Sequence, residues 1–282
     1  MWEIEMSIIK EVFLILCAAL LLAGCAEKPQ EKQDKRVQEE EAQKKAEEKK
    51  QEEQNTQEKQ RMLEEQKARE AEEKAPTIVL DPGHSAVVAE GSEPLGPGSS
   101  EYKAADTSGT SGISSGVPEY ELALNISVQL KKELENRGYT VLMTRESNDA
   151  PISCIGRAEI ANNAKADAYV RIHANGSEDQ SARGAMTICT TPQSPYVPEL
   201  YTASRQLSDD IINKLCEATG CENDGVWETD SMSGNNWSKV PVTIVEMGYM
   251  TNPEEDMLMQ TTDYQTKIVQ GIAGGIDAFL EY

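Results

Sequence analysis

Residues 77–84 read TIVLDPGH. Thr77 to Leu80 are β-favouring and make a short strand. Asp81-Pro82-Gly83 stops it and turns the chain. His84 is left just past the strand's carboxyl end. The pattern continues outward from there. A Gly/Ser-rich stretch, 85–117, reads as a long loop, a length that usually carries function. Glu119–Asn136 reads as a helix, because Leu122, Ile126, Leu130 and Leu134 recur every four residues on one face. Arg137-Gly138 ends it. Tyr139–Thr144 reads as a strand, Cys154–Ala164 as a helix, Ala168–Ile172 and Ala185–Cys189 as strands. Pro198–Thr219 is a long helix, Val240–Met247 a buried strand, and Tyr264–Leu280 the last helix. Strands alternating with helices imply an α/β fold: a mostly parallel twisted sheet of about six strands with helices on both faces. No internal repeat is visible.

In such sheets reactive residues gather at the carboxyl ends of the strands. The chain has two histidines, and both lie there: His84 after the first strand and His173 directly after Ala168–Ile172. Glu246 lies at the tail of VPVTIVEM, and Glu119 and Glu121 in the first turn of a helix. Two imidazoles and one carboxylate with an open fourth position form a catalytic zinc set. A further, unligated carboxylate can move the proton. Glu119 and Glu121 are about 200° apart around a helix, so they cannot both face one ion.

The chain has 282 residues, with 49 acidic and 27 basic side chains and a formal charge of −22. Residues 26–75 hold 16 acidic and 13 basic side chains, whereas 76–282 hold 30 and 13. The folded part is the acidic part, which excludes a nucleic-acid partner. Residues 1–24 read as a signal peptide: the apolar run Val12–Ala23 is too short to span a bilayer and suits a secretory core segment. Met6 competes with Met1 as the true start. Leu22-Ala23-Gly24-Cys25 resembles the lipobox of bacterial lipoproteins. That resemblance implies cleavage before Cys25, lipidation of Cys25, and residence on the extracytoplasmic face of the cell membrane. Residues 25–75 are the lipidated cysteine and a Glu/Lys/Gln-rich linker with too little apolar area for a core. Glu-to-Lys and Glu-to-Arg pairs at i,i+4, such as Glu40–Lys44 and Glu65–Arg69, favour a solvated helix, a stalk. A coiled coil lacks its apolar seam. Residues 76–282 form the remaining domain.

Four blocks of that domain resemble the zinc-dependent N-acetylmuramoyl-L-alanine amidases. They are Ile78–His84, Glu121-Leu122-Ala123-Leu124-Asn125, the run Ala166–Asn175 with Arg157 and Ala161-Asn162 before it, and Val245–Asn252. The resemblance implies one Zn²⁺ held by His84, Glu121 and His173, with Glu246 as general acid/base. Asn125, four residues after Glu121, matches the family spacing and selects Glu121 over Glu119. The implied reaction hydrolyses the amide between the lactyl group of N-acetylmuramic acid and L-alanine in peptidoglycan. The need for a protein activator is left open. Rival readings are a zinc peptidoglycan peptidase, whose usual H-x-x-E step is absent after His84, and a non-catalytic or activator-dependent wall-binding lipoprotein. The 85–117 segment reads as a substrate-shaping element, a lid or an insert. Trp227 and Trp237 either line a groove or pack inward. Cys216 and Cys221 flank Gly220 closely enough to bridge, with buried thiols the default.

Overall fold

The computed structural model describes residues 43–63 and 75–281. The expected signal segment, Cys25 and the start of the linker lie outside the described residues. Residues 43–63 form one helix, exposed over its whole length, as its charge pattern favours. Lys49 and Glu53 pair one turn apart at 3.9 Å. No helix among the described residues is long and apolar enough to cross a membrane. The described residues fall into two units, the helix of residues 43–63 and the domain of residues 75–281.

The second unit carries the sheet. Its strands are β1 (Thr77–Pro82), β4 (Thr140–Met143), β5 (Ala168–Asn175), β6 (Ala185–Cys189), β7 (Asn223–Glu228) and β8 (Val242–Tyr249). They lie in the order β4-β1-β5-β8-β6-β7. The first four pair in parallel; β6 runs antiparallel to β8 and parallel to β7. A separate antiparallel hairpin, β2 (Ser92–Pro94) with β3 (Tyr102–Ala104), sits inside the long loop. The helices are α1 (Glu119–Asn136), α2 (Cys154–Ala164), α3 (Tyr201–Thr219), the short α4 (Ser233–Asn236), α5 (Pro253–Met259) and α6 (Thr262–Leu280). The α/β expectation holds. The sequence reading names neither the sixth strand, the hairpin, nor the short helices α4 and α5, and it ends β5 at Ile172 where the strand runs on to Asn175. The sixth strand, NDGVWE, is polar, contains Gly225 and lies half-exposed at the sheet's edge, so it has no apolar period to find. The hairpin strands are three residues each and mostly exposed, for the same reason.

Strand alternation sorts the side chains. Ile78, Leu80, Val170, Ile172, Val245 and Met247 enter one core with α1, α3 and α6. Each fully buried Leu or Ile contributes about 1.5–3 kcal/mol there. The opposite face carries Val79, Tyr169 and Val242, packed on Ala158 and Ala161 of α2 and on Trp237. Asp81, Arg171, His173, Ile244 and Glu246 are in phase with that second set, so one face of the sheet receives every charged group that its central strands carry.

Asp81 organises that face. It is fully buried. Its Oδ1 accepts from Arg157 Nη1 at 2.8 Å and from Thr144 Oγ1. Its Oδ2 accepts from Arg171 Nε at 2.9 Å and from Tyr169 Oη at 3.1 Å. Burial alone would raise its pKa. The Arg157 and Arg171 guanidiniums outweigh burial and hold the carboxyl well below its usual range. Arg157 also donates to the carbonyls of Pro82, His84 and Ile152.

Two stability predictions follow from these contacts. Replacing Asp81 by Asn leaves two buried guanidiniums without their counter-charge and costs about 3–5 kcal/mol. A carboxylate with a depressed folded pKa contributes stability above the unfolded value of about 4, and that stability is lost as pH falls. Urea denaturation should therefore show wild type losing stability below about pH 4 more steeply than Asp81→Asn. On α6, a Cβ at Gly275 would stand 2.4 Å from the Ile211 Cα of α3, whereas Gly274 has nothing within 4 Å. Gly275→Ala should destabilise by about 1–3 kcal/mol; Gly274→Ala should be stabilising by up to about 1 kcal/mol. Equal effects of the two substitutions would refute the close-packing account.

Candidate metal centre

His84 lies two residues past β1 with φ +59°, a left-handed conformation uncommon for a residue with a Cβ. Two clamps hold it. Arg157 Nη2 donates to its carbonyl at 2.9 Å. Its Nδ1 lies 2.8 Å from the Thr107 carbonyl and 3.0 Å from Thr107 Oγ1. The carbonyl can only accept, so Nδ1 carries the proton and Nε2 is free to act as a ligand. Gly83 makes room beside it: a Cβ there would stand 2.3 Å from the His173 ring. The two imidazoles meet edge to face, centroids 4.8 Å apart.

The carboxylate between them is Glu119. Its Oε1 is 2.9 Å from His173 Nδ1 and 3.2 Å from His84 Nε2. The Ala174 amide donates to Oε1 and the Thr110 amide to Oε2. In return Glu119 N donates to the Thr110 carbonyl. Arg145 fixes the helix start against the histidine loop, donating to the carbonyls of Gly83 at 2.9 Å and Tyr120 at 2.7 Å. One ligand atom from each of His84, Glu119 and His173 lies within 4.8 Å of the others.

The expected glutamate, Glu121, is not at this centre; it is exposed on α1. The helix's own stripe decides between the two. Glu119 precedes Leu122 by three residues and Ile126 by seven, which puts it on the buried face. Glu121 shares the outer face with Asn125, whose amide bonds Gln265 instead. The spacing to Asn125 therefore pointed to a carboxylate that the fold turns outward, whereas the spacing to the apolar stripe points to the one it places between the histidines.

Glu246 stands opposite His173 in the β5–β8 register. Burial pushes its carboxyl up to about 8, the Glu119 charge adds to this and Arg171 opposes it. Burial likewise lowers His173, with the nearby His84 charge contributing. The donor set suits a divalent ion of the zinc type: two imidazoles and a carboxylate, with His173 Nε2 and Glu246 Oε2 buried and without a hydrogen-bond partner.

Two clefts open on this cluster. One, of about 270 Å³, is lined by Arg171, Ile188, Ile244 and Met232, with Lys103 and Asp106 on the hairpin side. The other, of about 510 Å³, is lined by Thr110, Asn175, Ser177 and Thr251. Sequence reasoning missed Lys103, Asp106, Arg145 and Arg171, since a lone charge in a loop or strand has no period. Trp237 packs inward, donating from Nε1 to the Pro94 carbonyl. Trp227 is exposed on β7 and lines neither cleft. Cys216 and Cys221 are free thiols with their sulfurs 3.2 Å apart.

The profile of the N-acetylmuramoyl-L-alanine amidase family matches residues 78–278. The N-acetylmuramoyl-L-alanine amidase Rv3717 of Mycobacterium tuberculosis is 27% identical over 209 residues, which cover 72% of this chain and 86% of that protein. LytC of Bacillus subtilis is 28% identical over 201 residues, 71% of this chain but 34% of that longer protein. The crystal structure of the amidase Ami1 from Mycobacterium smegmatis superposes with a TM-score of 0.66 at 26% identity, covering 73% of this chain and 97% of that one. With four-stranded parallel pairing, the buried Asp81 hub and the two histidines all inside the matched span, the chain belongs to the N-acetylmuramoyl-L-alanine amidase family.

Proposed function

We propose that this protein is a peptidoglycan hydrolase that cuts the amide between the lactyl group of N-acetylmuramic acid and L-alanine. His84, Glu119 and His173 would hold one zinc ion, and Glu246 would serve as general acid and base. The observation that carries the reading is the His84–Glu119–His173 cluster with Glu246 facing it from the neighbouring strand. A zinc ion at such a set acidifies water and polarises a carbonyl oxygen. The protein's own groups do the rest. Glu246 takes a proton from the attacking water as its oxygen adds to the lactyl carbonyl. It then delivers that proton to the alanine nitrogen as the C–N bond breaks. A carboxyl whose proton affinity lies near neutrality suits both transfers. Thr107 keeps the His84 imidazole in one tautomer, and the two clefts leave room for substrate on either side. A zinc peptidase is not favoured, because the ligands come from three separate elements and no H-x-x-E step follows His84. Nor is a non-catalytic module, because the two histidines, a carboxylate between them and Glu246 are all present.

We further propose that Cys25 carries a lipid and that the charged segment before the domain is a stalk. The support is the apolar run ending in Leu22-Ala23-Gly24-Cys25 and the exposed helix of residues 43–63. This would hold the enzyme on the extracytoplasmic face of the cell membrane, within reach of its substrate.

The function is tested by incubating the zinc-loaded full chain with purified peptidoglycan and weighing the products. Intact stem peptides with a free alanine amine are expected; shortened stem peptides alone would refute the bond assigned. Glu246→Gln should bind zinc normally and lose about 10²–10⁴-fold in rate; turnover near wild type would remove its role. Glu119→Ala should lose zinc on dialysis while Glu121→Ala keeps one per chain, read by elemental analysis. The reverse result would restore Glu121 as the ligand.

A further inference from the structure

Buried polar side-chain atoms without a hydrogen-bond partner are uncommon in folded proteins. Among the described residues, three of the seven that occur, His173 Nε2, Glu246 Oε2 and Asp106 Oδ2, belong to residues lining the 270 Å³ cleft. The first two residues belong to the reaction. Asp106 does not. Its side chain is 4% exposed, and its nearest cation, Arg157 Nη2, is 3.7 Å away. That nitrogen already donates to the His84 carbonyl at 2.9 Å. A buried carboxylate with spare acceptor capacity therefore faces the cleft one residue before Thr107, which orients His84. Leaving such a group unpaired is costly unless a ligand supplies a donor.

Lys103 lies three residues earlier on β3 and is exposed. Its Nζ donates to the Ser231 carbonyl at 2.8 Å, which leaves two of its three protons unassigned. The cleft is therefore bipolar: an acceptor next to the reaction centre, a cation on the outer hairpin strand, and Ile188, Ile244 and Met232 as apolar walls. The hairpin that carries Lys103 and leads into Asp106 is a fixed wall. Glu93 Oε1 accepts from the Ile155 amide, the Pro94 carbonyl from Trp237, the Leu95 carbonyl from Asn236 and the Ala105 carbonyl from the Cys154 amide, all at 2.8–2.9 Å.

We infer that Lys103 and Asp106 hold the stem peptide in this cleft, Asp106 accepting from the alanine nitrogen and Lys103 pairing with a carboxylate farther along the peptide. This assignment rests on the amidase reading and says which half of the substrate lies where. The chemistry of the two halves supports it. The lactyl carboxyl of the sugar is consumed in the scissile amide, so free carboxylates belong to the peptide. The alanine nitrogen carries one proton in the substrate and is an ammonium in the product, a partner for an anion at both stages. The larger cleft, with Thr110, Asn175, Ser177 and Thr251, offers hydroxyls and amides for sugar hydroxyls.

The test is calorimetric binding of stem tripeptides to the zinc-loaded full chain, run beside release of peptide from a muramoyl tripeptide. The probes are the tripeptide with carboxylates free, the same peptide with them amidated, and the free acid with its alanine amine acetylated. Wild type should bind the free acid about tenfold more tightly than the amidated peptide. Lys103→Gln should abolish that preference and Lys103→Arg should keep it. Asp106→Asn should weaken the free amine about tenfold and the acetylated peptide less, with zinc content and melting temperature at wild-type values. Equal weakening of both members of either pair, or no preference in wild type, overturns the inference. Peptide release without these preferences overturns it while leaving the amidase reading intact. These preferences without any release overturn the amidase reading and leave the cleft assignment in place.

Discussion

The carboxylate of Asp81 is the group on which the site's geometry depends. It is fully buried and takes four hydrogen bonds, two of them from guanidiniums. A buried charge is tolerated only when it is paired and bonded in this way. The pairing has a positional consequence. Arg157, held by Asp81, reaches the carbonyls of Pro82 and His84. Arg171, held by the other oxygen, extends into the cleft beside Glu246. The turn Asp81-Pro82-Gly83-His84 is thereby pinned at both ends, and a histidine with positive φ is kept where its ring meets that of His173.

The three residues of the candidate metal site arrive from elements far apart in sequence, and each is fixed by a neighbour rather than by itself. Thr107 orients His84, the Thr110 and Ala174 amides orient Glu119, and Arg145 ties the start of α1 to Gly83. Such supporting bonds are what give a reaction centre its precision. The same arrangement leaves His173, Glu246 and Asp106 each with an unpartnered buried atom. The fold tolerates that cost where a substrate or an ion can supply the missing partner.

The hairpin between β1 and α1 gives this member of the family a wall that its strand lengths would not suggest. It has almost no core of its own. Its order comes from backbone carbonyls capped by Trp237, Asn236 and the Cys154 amide, and from Glu93 of β2, which accepts from the Ile155 amide at the start of α2. Lys103 on its second strand and Asp106 two residues beyond it supply charges of opposite sign to one cleft in an otherwise acidic domain.

The apolar periods of β1, β5, β8 and α1 determined the layers and the faces, because burial of alternating or every-fourth residues is a local pattern. They also placed His84 just past β1 and put His173 and Glu246 towards the carboxyl ends of β5 and β8, where the parallel sheet sets the last two side by side, although both lie within their strands. The exposed helix at residues 43–63 was legible from charge spacing alone. The sequence could not separate Glu119 from Glu121 by motif spacing, since both sit in one turn and the distinction depends on which face of α1 meets the sheet. Nor could it find β7, the hairpin, Arg145 or Asp106. Edge strands and capped loops bury too little apolar surface to leave a period, and a single charge acquires its role only from the groups packed around it. Those groups come from distant parts of the chain, and tertiary contact alone assembles them.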